Sequence, residues 1–497
     1  MPDITSYLED AAHFPGGHAE GIVFPRTAGE VAAAVQDAVA VLPIGAQSSL
    51  TGGATPMGER LLSTAKLDRV TGRSPGTVTV EAGVTIETLQ SFLAAHDAWF
   101  PPAPTFTGAT AGGIVATNAA GAATFKYGST RQWVQGITVV LSDGSILTLS
   151  RGELRAAGRL LHLAGAAVPV PGYTLPRVPK ASAGYFAAPG MDAVDLFIGS
   201  EGTLGIITAV TFRVVSPAPA VAMAMIPCQS EDQAIELTSR LRSKSLATAI
   251  ENIDRRSIQI VVEDGVAARE QVTFPAGTEM ALFVQLELPH GMTAERAFDE
   301  IASATDPAAP DTALVRFCRI LAAEELLDCT EIAMPEDRRR MAQLIAVREG
   351  VPAGVNQRVG MAKASVDGRI AKTAADMIVP FDRFAEMNTI YRRGFLSRGL
   401  DYAIWGHISD GNVHPNVIPR SYEHVERGRD AILEFGREVT RLGGCPLAEH
   451  GVGRSAIKQQ LLQQLYGADG IEQMRAVKRA LDPTWKFAPG VIFERVG

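Results

Sequence analysis

Two short stretches near the C-terminus carry the residue types that chemistry needs. The first, Gly406-His407-Ile408-Ser409-Asp410-Gly411-Asn412-Val413-His414-Pro415-Asn416, sets two imidazoles around an Asp-Gly pair. Asp-Gly favours a two-residue hairpin loop, whose type I′ geometry needs positive φ at both central positions. With Asp410-Gly411 as that loop, Ser409 pairs with Asn412, Ile408 with Val413 and His407 with His414. Cross-strand partners share a face, with Cβ atoms ~4.5–5.5 Å apart, so two imidazoles placed there can chelate one metal ion. The same pattern also suits two polar residues on a solvated hairpin. The second stretch, Ala448-Glu449-His450-Gly451-Val452-Gly453, adds a carboxylate and a third imidazole. Glu449 can complete a His/His/carboxylate set with positions left open, the form of a catalytic rather than a structural metal site. The flanking glycines predict a loop in which Glu449 and His450 point different ways. A Glu-His pair on a surface loop is the bland alternative.

Three clusters of small residues lie far upstream. Pro43-Ile44-Gly45-Ala46-Gln47-Ser48-Ser49-Leu50-Thr51-Gly52-Gly53 follows an apolar strand. Small residues there let backbone N–H groups approach a ligand, and two serine hydroxyls add donors, as a pyrophosphate requires. A tight turn gives the same pattern. The second cluster runs from Pro102-Ala103-Pro104-Thr105 through Gly108-Ala109-Thr110-Ala111-Gly112-Gly113-Ile114-Val115-Ala116-Thr117-Asn118. The third is Asp195-Leu196-Phe197-Ile198-Gly199-Ser200-Glu201-Gly202-Thr203-Leu204-Gly205-Ile206-Ile207. No GxGxxG opens a helix, which argues against a Rossmann nucleotide site.

The elements that must position these residues read as α+β. Gly21 to Pro25, Val41 to Ile44 and Thr77 to Ala82 are predicted strands. Ala28 to Val41, after Thr27, and Ile86 to His96 are predicted helices. Two strands flank the turn Ser142-Asp143-Gly144, and the domain ends near Val215. Ser216-Pro217-Ala218-Pro219 is the linker candidate. A second α+β region follows from about Ala220 to Phe395. The last stretch holds the histidine hairpin, a helix over Ser421–Leu442, and a helix with Ile471, Met474, Val477 and Leu481 on one face, stopped by Asp482-Pro483.

Bulk properties narrow the function classes. At 497 residues the chain is long enough for two or three domains, and its net charge of −8 argues against nucleic acid as a partner. The one basic run, Arg338-Arg339-Arg340, follows Glu336-Asp337 and reads as a solvated helix face. Cys228, Cys318, Cys329 and Cys445 form no CxxC pair, which argues against a thiolate metal site and suits a reduced, cytoplasmic protein. No apolar run is long enough to span a bilayer. Peripheral association at the inner membrane face through a partner is compatible with this.

The three glycine clusters, with Lys126-Tyr127-Gly128 and Val139 to Gly144, resemble the FAD-binding domain of the vanillyl-alcohol oxidase / p-cresol methylhydroxylase superfamily. The similarity runs from about Gly21 to Phe493. It lies nearest the branch of FAD-linked D-lactate dehydrogenases, glycolate oxidase large subunits and D-2-hydroxyglutarate dehydrogenases. The resemblance implies a two-part FAD-binding domain (residues 1–217), an α+β substrate or cap domain with an antiparallel sheet (218–440), and a C-terminal helical segment returning to the flavin (441–497). It implies that Pro43, Gly45, Ala46, Gln47, Ser48, Ser49 and Leu50 cradle the FAD pyrophosphate. Pro104, Thr105, Gly108, Ala109, Thr110, Gly112, Gly113, Ala116, Asn118, Glu201, Gly202, Gly205, Ile206 and Ile207 would line the flavin and its ribityl chain, and Asn412 joins the cofactor contacts. With no histidine in the first loop, the FAD is expected to be non-covalent. Ala46 replaces a glycine often found there.

The downstream stretches resemble the family's HxGDGNxH and EHGxG motifs, with Ser409 replacing a glycine. The resemblance implies that His407, His414 and Glu449 ligate a divalent metal, zinc or manganese. His450 would take the substrate hydroxyl proton, and Arg348, in Val347-Arg348-Glu349, would bind the substrate carboxylate. Lys372 is a further catalytic candidate, although it lies four residues before Asp376 where the family lysine often lies two before. Gly360 to Thr373 looks longer than in many relatives. The implied reaction is oxidation of a D-2-hydroxy acid to the 2-oxo acid by hydride transfer to flavin N5. The implied electron acceptor is a quinone, cytochrome or electron-transfer flavoprotein, and a homodimer is compatible. Two alternatives stay open: a transferase like alkyldihydroxyacetonephosphate synthase, and a flavin-binding subunit without its own substrate.

Overall fold

The computed structural model describes residues 4–102, 104, 106–244 and 246–494; Ala103 and the candidate Thr105 lie outside them. The chain forms two compact units. One runs to Ser216 and resumes at Cys445; the other is Pro217–Gly444.

The first unit is built on two sheets. Strands Gly21–Val23, Arg60–Ser63 and Val41–Ile44 lie in that order, all parallel. The helix Ala28–Asp37 makes the crossover. Thr27 caps it by accepting from the Glu30 N–H, and Val31 and Val35 bury its inner face one turn apart. The helix ends at Asp37, short of the predicted Val41, and Val41 opens the next strand. The second sheet is antiparallel: Val70–Ser74, Thr77–Glu81, Ile206–Arg213, Val134–Val140, Ile146–Ser150. The C-terminal segment completes this unit. Val41 N–H donates to the Lys486 carbonyl and Ala488 N–H to the Val41 carbonyl. The helix Ala456–Leu481 buries Ile471, Met474, Val477 and Leu481 and turns at Gly467, whose φ is +71°.

The second unit is one antiparallel sheet. Its order is Glu331–Ala333, Ala220–Cys228, Met280–Leu288, Ala249–Asp254, Asp401–His407, Asn412–Ile418, Thr373–Ala374. One face is covered by the helices Arg255–Glu263 and Arg338–Ser365, which pack Ile258, Val261, Val347, Val351 and Val355 against Ile253, Phe283, Ala403 and Trp405. Arg338 and Arg339 are exposed at the start of the long helix, whereas Arg340 is partly buried and ion-paired with Glu331. Among the described residues of either unit, no helix is long and apolar enough to cross a membrane.

Asp254 ties this sheet to its helical cover. Its Oδ1 accepts from the Ser257 N–H, capping the helix, and its Oδ2 accepts from the Ile404 N–H of the histidine-bearing strand. Burial, opposed by these bonds, pushes its carboxyl up to about 6 from 3.8. The native state therefore keeps this proton to a higher pH than the unfolded chain. The resulting stabilisation is present below pH ~4 and is lost as pH rises to ~6, by up to ~3 kcal/mol. Asp254→Asn, which keeps one acceptor for the cap but cannot titrate, should remove this loss of stability with rising pH, as measured by denaturant unfolding at pH 4 and pH 7.

Candidate active site

The two histidines share the covered face of the second unit's sheet, but not in the predicted register. His407 pairs with Asn412, Gly406 with Val413 and Trp405 with His414. Ile408–Asp410 forms a 3₁₀ turn that Gly411 closes at φ +84°. A two-residue type I′ loop needs positive φ at Asp410 as well, and Asp410 sits within the 3₁₀ turn instead. Its Oδ1 accepts from the Asn412 N–H. His407 and His414 are thus diagonal rather than direct partners. Their rings stand perpendicular with centroids 5.6 Å apart, and their donor atoms lie within 4.8 Å. Both are buried, which removes the solvated-hairpin alternative.

Two carboxylates that sequence reasoning did not assign flank the pair. Glu251 Oε2 lies 3.5 Å from His407 Nδ1, and Asp376 Oδ1 lies 3.4 Å from His414 Nδ1. Asn412 spends its amide N–H groups on Asp376 Oδ1 (3.0 Å) and the Met377 carbonyl (2.9 Å). Positions 412, 414 and 416 alternate onto one face, and there Asn412 Oδ1 and Asn416 Oδ1 are buried without a partner among the described residues. Unmet acceptors beside two imidazoles mark a face that suits a cation or a polar ligand.

Arg348 projects from the long helix and is not free. Its Nε donates to Glu251 Oε2 at 2.6 Å, and its terminal nitrogens pair with Glu251 and Glu349. Burial works against its charge, yet the two carboxylates hold the guanidinium above its usual range. Lys372 precedes the strand Thr373–Ala374 and is exposed; among the described residues it makes no hydrogen bond or ion pair.

Glu449 and His450 belong to the first unit. Glu449 is buried and paired with Lys180 Nζ at 2.5 Å, a partner that its sequence neighbourhood gave no sign of. His450 Nε2 lies 4.0 Å from Glu449 Oε2, and its side chain is one-third exposed. The loop is fixed from behind by Glu201. Its Oε1 accepts from the Val452 N–H and its Oε2 from the Gly453 N–H, both at 2.8 Å. Glu201 itself takes the left-handed conformation, at φ +51°.

The three small-residue clusters interlock within this unit. A Cβ on Gly45 would meet Thr110 Oγ1 at 2.3 Å, and one on Gly202 would meet Pro43 Cγ at 2.7 Å. Gly199 and Glu201 donate to the Val115 and Ala116 carbonyls. Thr110 caps the helix Ala111–Ala116 through the Gly113 N–H. Gln47, at φ +50°, spends its side-chain amide on the Tyr7 and Ala54 carbonyls and so staples the first loop. Among the described residues, the backbone N–H groups of Ala46, Gln47, Ser48 and Ser49 meet no acceptor. A run of open N–H groups on a pinned loop suits a pyrophosphate. Asn118, by contrast, is turned inward: its Oδ1 accepts from Ser129 Oγ and the Arg131 N–H.

Comparison with known proteins identifies what is built here. A family profile described as "FAD binding domain" matches residues 19–150, and one described as "FAD linked oxidases, C-terminal domain" matches residues 218–492. The chain belongs to the FAD-linked oxidases. This oxidase is 27% identical over 485 residues to a D-2-hydroxyglutarate dehydrogenase of Xanthomonas citri pv. viticola, covering 95% of this chain and 89% of that one. It is 26% identical to a D-lactate dehydrogenase of Archaeoglobus fulgidus, over 96% of this chain and 91% of that one. It is 25% identical to glycolate oxidase subunit GlcD of Bacillus subtilis, over 96% and 89%. A solved alkyldihydroxyacetonephosphate synthase shares the fold, with a TM-score of 0.57 and 16% identity over 94% of this chain and 75% of that one. As an FAD-linked oxidase the chain is a flavoprotein, and the open N–H groups of its first loop fit the cofactor. Gly45→Val, which drives a side chain into the Thr110 cap, should lower bound FAD more than tenfold in a folded protein, read from the flavin-to-protein absorbance ratio.

Proposed function

We propose that this oxidase is an FAD-dependent dehydrogenase that converts a D-2-hydroxy acid of the D-lactate type to its 2-oxo acid. The observation that carries the reading is the gathering of His407, His414 and Arg348 in one unit around buried Glu251 and Asp376. Relatives named as D-lactate and D-2-hydroxyglutarate dehydrogenases support it over nearly the whole chain.

FAD, which the three small-residue clusters of the first unit would hold, would supply the two-electron acceptor for a hydride from C2. A divalent ion, zinc or manganese, which His407 and His414 would hold, would supply a Lewis acid that lowers the pKa of the 2-hydroxyl. The protein's own residues do the rest. Arg348 has five N–H donors, and its pairs with Glu251 and Glu349 leave donors on the terminal nitrogens for the substrate carboxylate. His450, partly exposed, takes the hydroxyl proton as the C2 hydride departs, and the carbonyl product remains. Lys372, ahead of the strand Thr373–Ala374, is kept as a further catalytic candidate. The electrons then pass to a quinone, cytochrome or electron-transfer flavoprotein.

Metal removal tests this reading. Dialysis of the FAD-loaded protein against a chelator should stop anaerobic flavin reduction by D-lactate, and Zn²⁺ or Mn²⁺ should restore it. Undiminished reduction in protein shown to be metal-free would remove the metal from the reaction.

A further inference from the structure

We propose that Glu251 is a positioning residue that fixes the metal-facing nitrogen of His407 and the guanidinium of Arg348 with one carboxylate. This deepens the function proposed above and rests on it. The side chain lies on the strand Ala249–Asp254, beside the histidine-bearing strand, and is only 8% exposed. Its Oε2 receives Arg348 Nε at 2.6 Å and stands 3.5 Å from His407 Nδ1. An imidazole whose Nδ1 faces a carboxylate carries its proton there and offers Nε2 as the ligand atom. The second histidine repeats the arrangement, with Asp376 Oδ1 3.4 Å from His414 Nδ1. The Asp376 carboxylate is held in turn by Asn412 Nδ2. Each imidazole therefore has a carboxylate at its Nδ1, which leaves Nε2 as its ligand atom.

Glu251 differs from Asp376 in serving a second client. Arg348 is nearly enclosed, and its plane is set by Glu251 on one side and Glu349 on the other. Glu349 is 42% exposed and Glu251 is not, so the buried carboxylate is the rigid partner. The group that orients a metal ligand thus also orients the residue proposed to bind the substrate carboxylate. A change at Glu251 must disturb metal affinity and acid binding together, whereas a change at Glu349 touches only Arg348.

The test uses the full-length, FAD-loaded protein. Zn²⁺ affinity is measured against a chromophoric chelator, and KM for D-lactate is measured with metal in excess. Glu251→Gln should weaken Zn²⁺ binding roughly 10–100-fold and raise KM, with FAD content unchanged. Glu349→Gln should raise KM and leave Zn²⁺ affinity within about twofold, because its carboxylate is paired with Arg348. If Glu251→Gln fails to fold, Glu251→Asp keeps the charge, retracts it from both partners and should give a smaller loss of the same two kinds. Zn²⁺ affinity equal to the native protein's in a folded Glu251 variant overturns the proposal while leaving the dehydrogenase reading intact. A native protein that binds neither Zn²⁺ nor Mn²⁺ overturns the metal reading and this proposal with it.

Discussion

His450→Asn should slow flavin reduction by the substrate roughly 10²–10⁴-fold, the usual contribution of a general base. FAD content should stay near normal, because the first loop, Thr110 and Gly202 do not depend on this side chain. The geometry explains why the effect should sit in the rate rather than in the fold. His450 is one-third exposed, and its loop is anchored by Glu201 through the Val452 and Gly453 N–H groups. Asparagine preserves polarity and a hydrogen-bonding edge but cannot accept a proton near neutral pH. Stopped-flow reduction under anaerobic conditions measures the step directly, and a rate near that of the native protein would remove His450 from the chemistry.

Lys478→Met should destabilise the first unit by ~3–5 kcal/mol, the cost of stranding one member of a buried ion pair. Lys478 is 1% exposed, and its Nζ donates to Asp482 Oδ2 (2.6 Å), the Phe487 carbonyl (2.7 Å) and the Thr203 carbonyl (2.5 Å). Burial pulls its ammonium down to about 8, with Asp482 opposing, so it is charged at pH 7. The Asp482 carboxylate also accepts from the Lys486 and Phe487 N–H groups and is fully buried. Without Lys478 it would keep those bonds but lose its counter-charge. Thr203 follows Glu201 and Gly202, so the loss should reach the flavin loops as well. Thermal unfolding should show a lower midpoint with reduced FAD retention, and an unchanged midpoint would show the pair to be dispensable.

These residues show which parts of the fold and site the sequence made legible. Helix starts were readable at Thr27 and Ser421 because a capping side chain is a local signal, and the stripes of the last two helices were readable from their period. The α+β class followed from the alternation of short strands and helices, and the FAD-linked family from the three small-residue clusters. The hairpin register did not follow from Asp410-Gly411. That pair specifies a two-residue loop only if Asp410 takes positive φ, and the longer 3₁₀ turn avoids that strain. The diagonal placement of His407 and His414 still puts both on one face, since residues two apart on a strand share a side.

What escaped sequence reading was the partners. Glu251 and Arg348 lie 97 positions apart, and Lys180 and Glu449 lie 269 apart, so no local pattern joins them. A buried lysine next to Ala-Ser-Ala-Gly reads like any loop cation until the fold supplies its carboxylate. Likewise Gln47 and Asn118 sit in ligand-rich clusters, yet both spend their polar groups on the protein's own backbone and side chains.

The central claim is that a D-2-hydroxy acid gives up its C2 hydride to the flavin of this chain. Anaerobic titration of the FAD-loaded protein with paired D- and L-2-hydroxy acids addresses it in one spectrum. Bleaching of the oxidised-flavin band by D-lactate or a longer D-acid, with the L-enantiomers inert, is the predicted result. A flavin that dithionite reduces but that stays oxidised with every acid in the panel would contradict it.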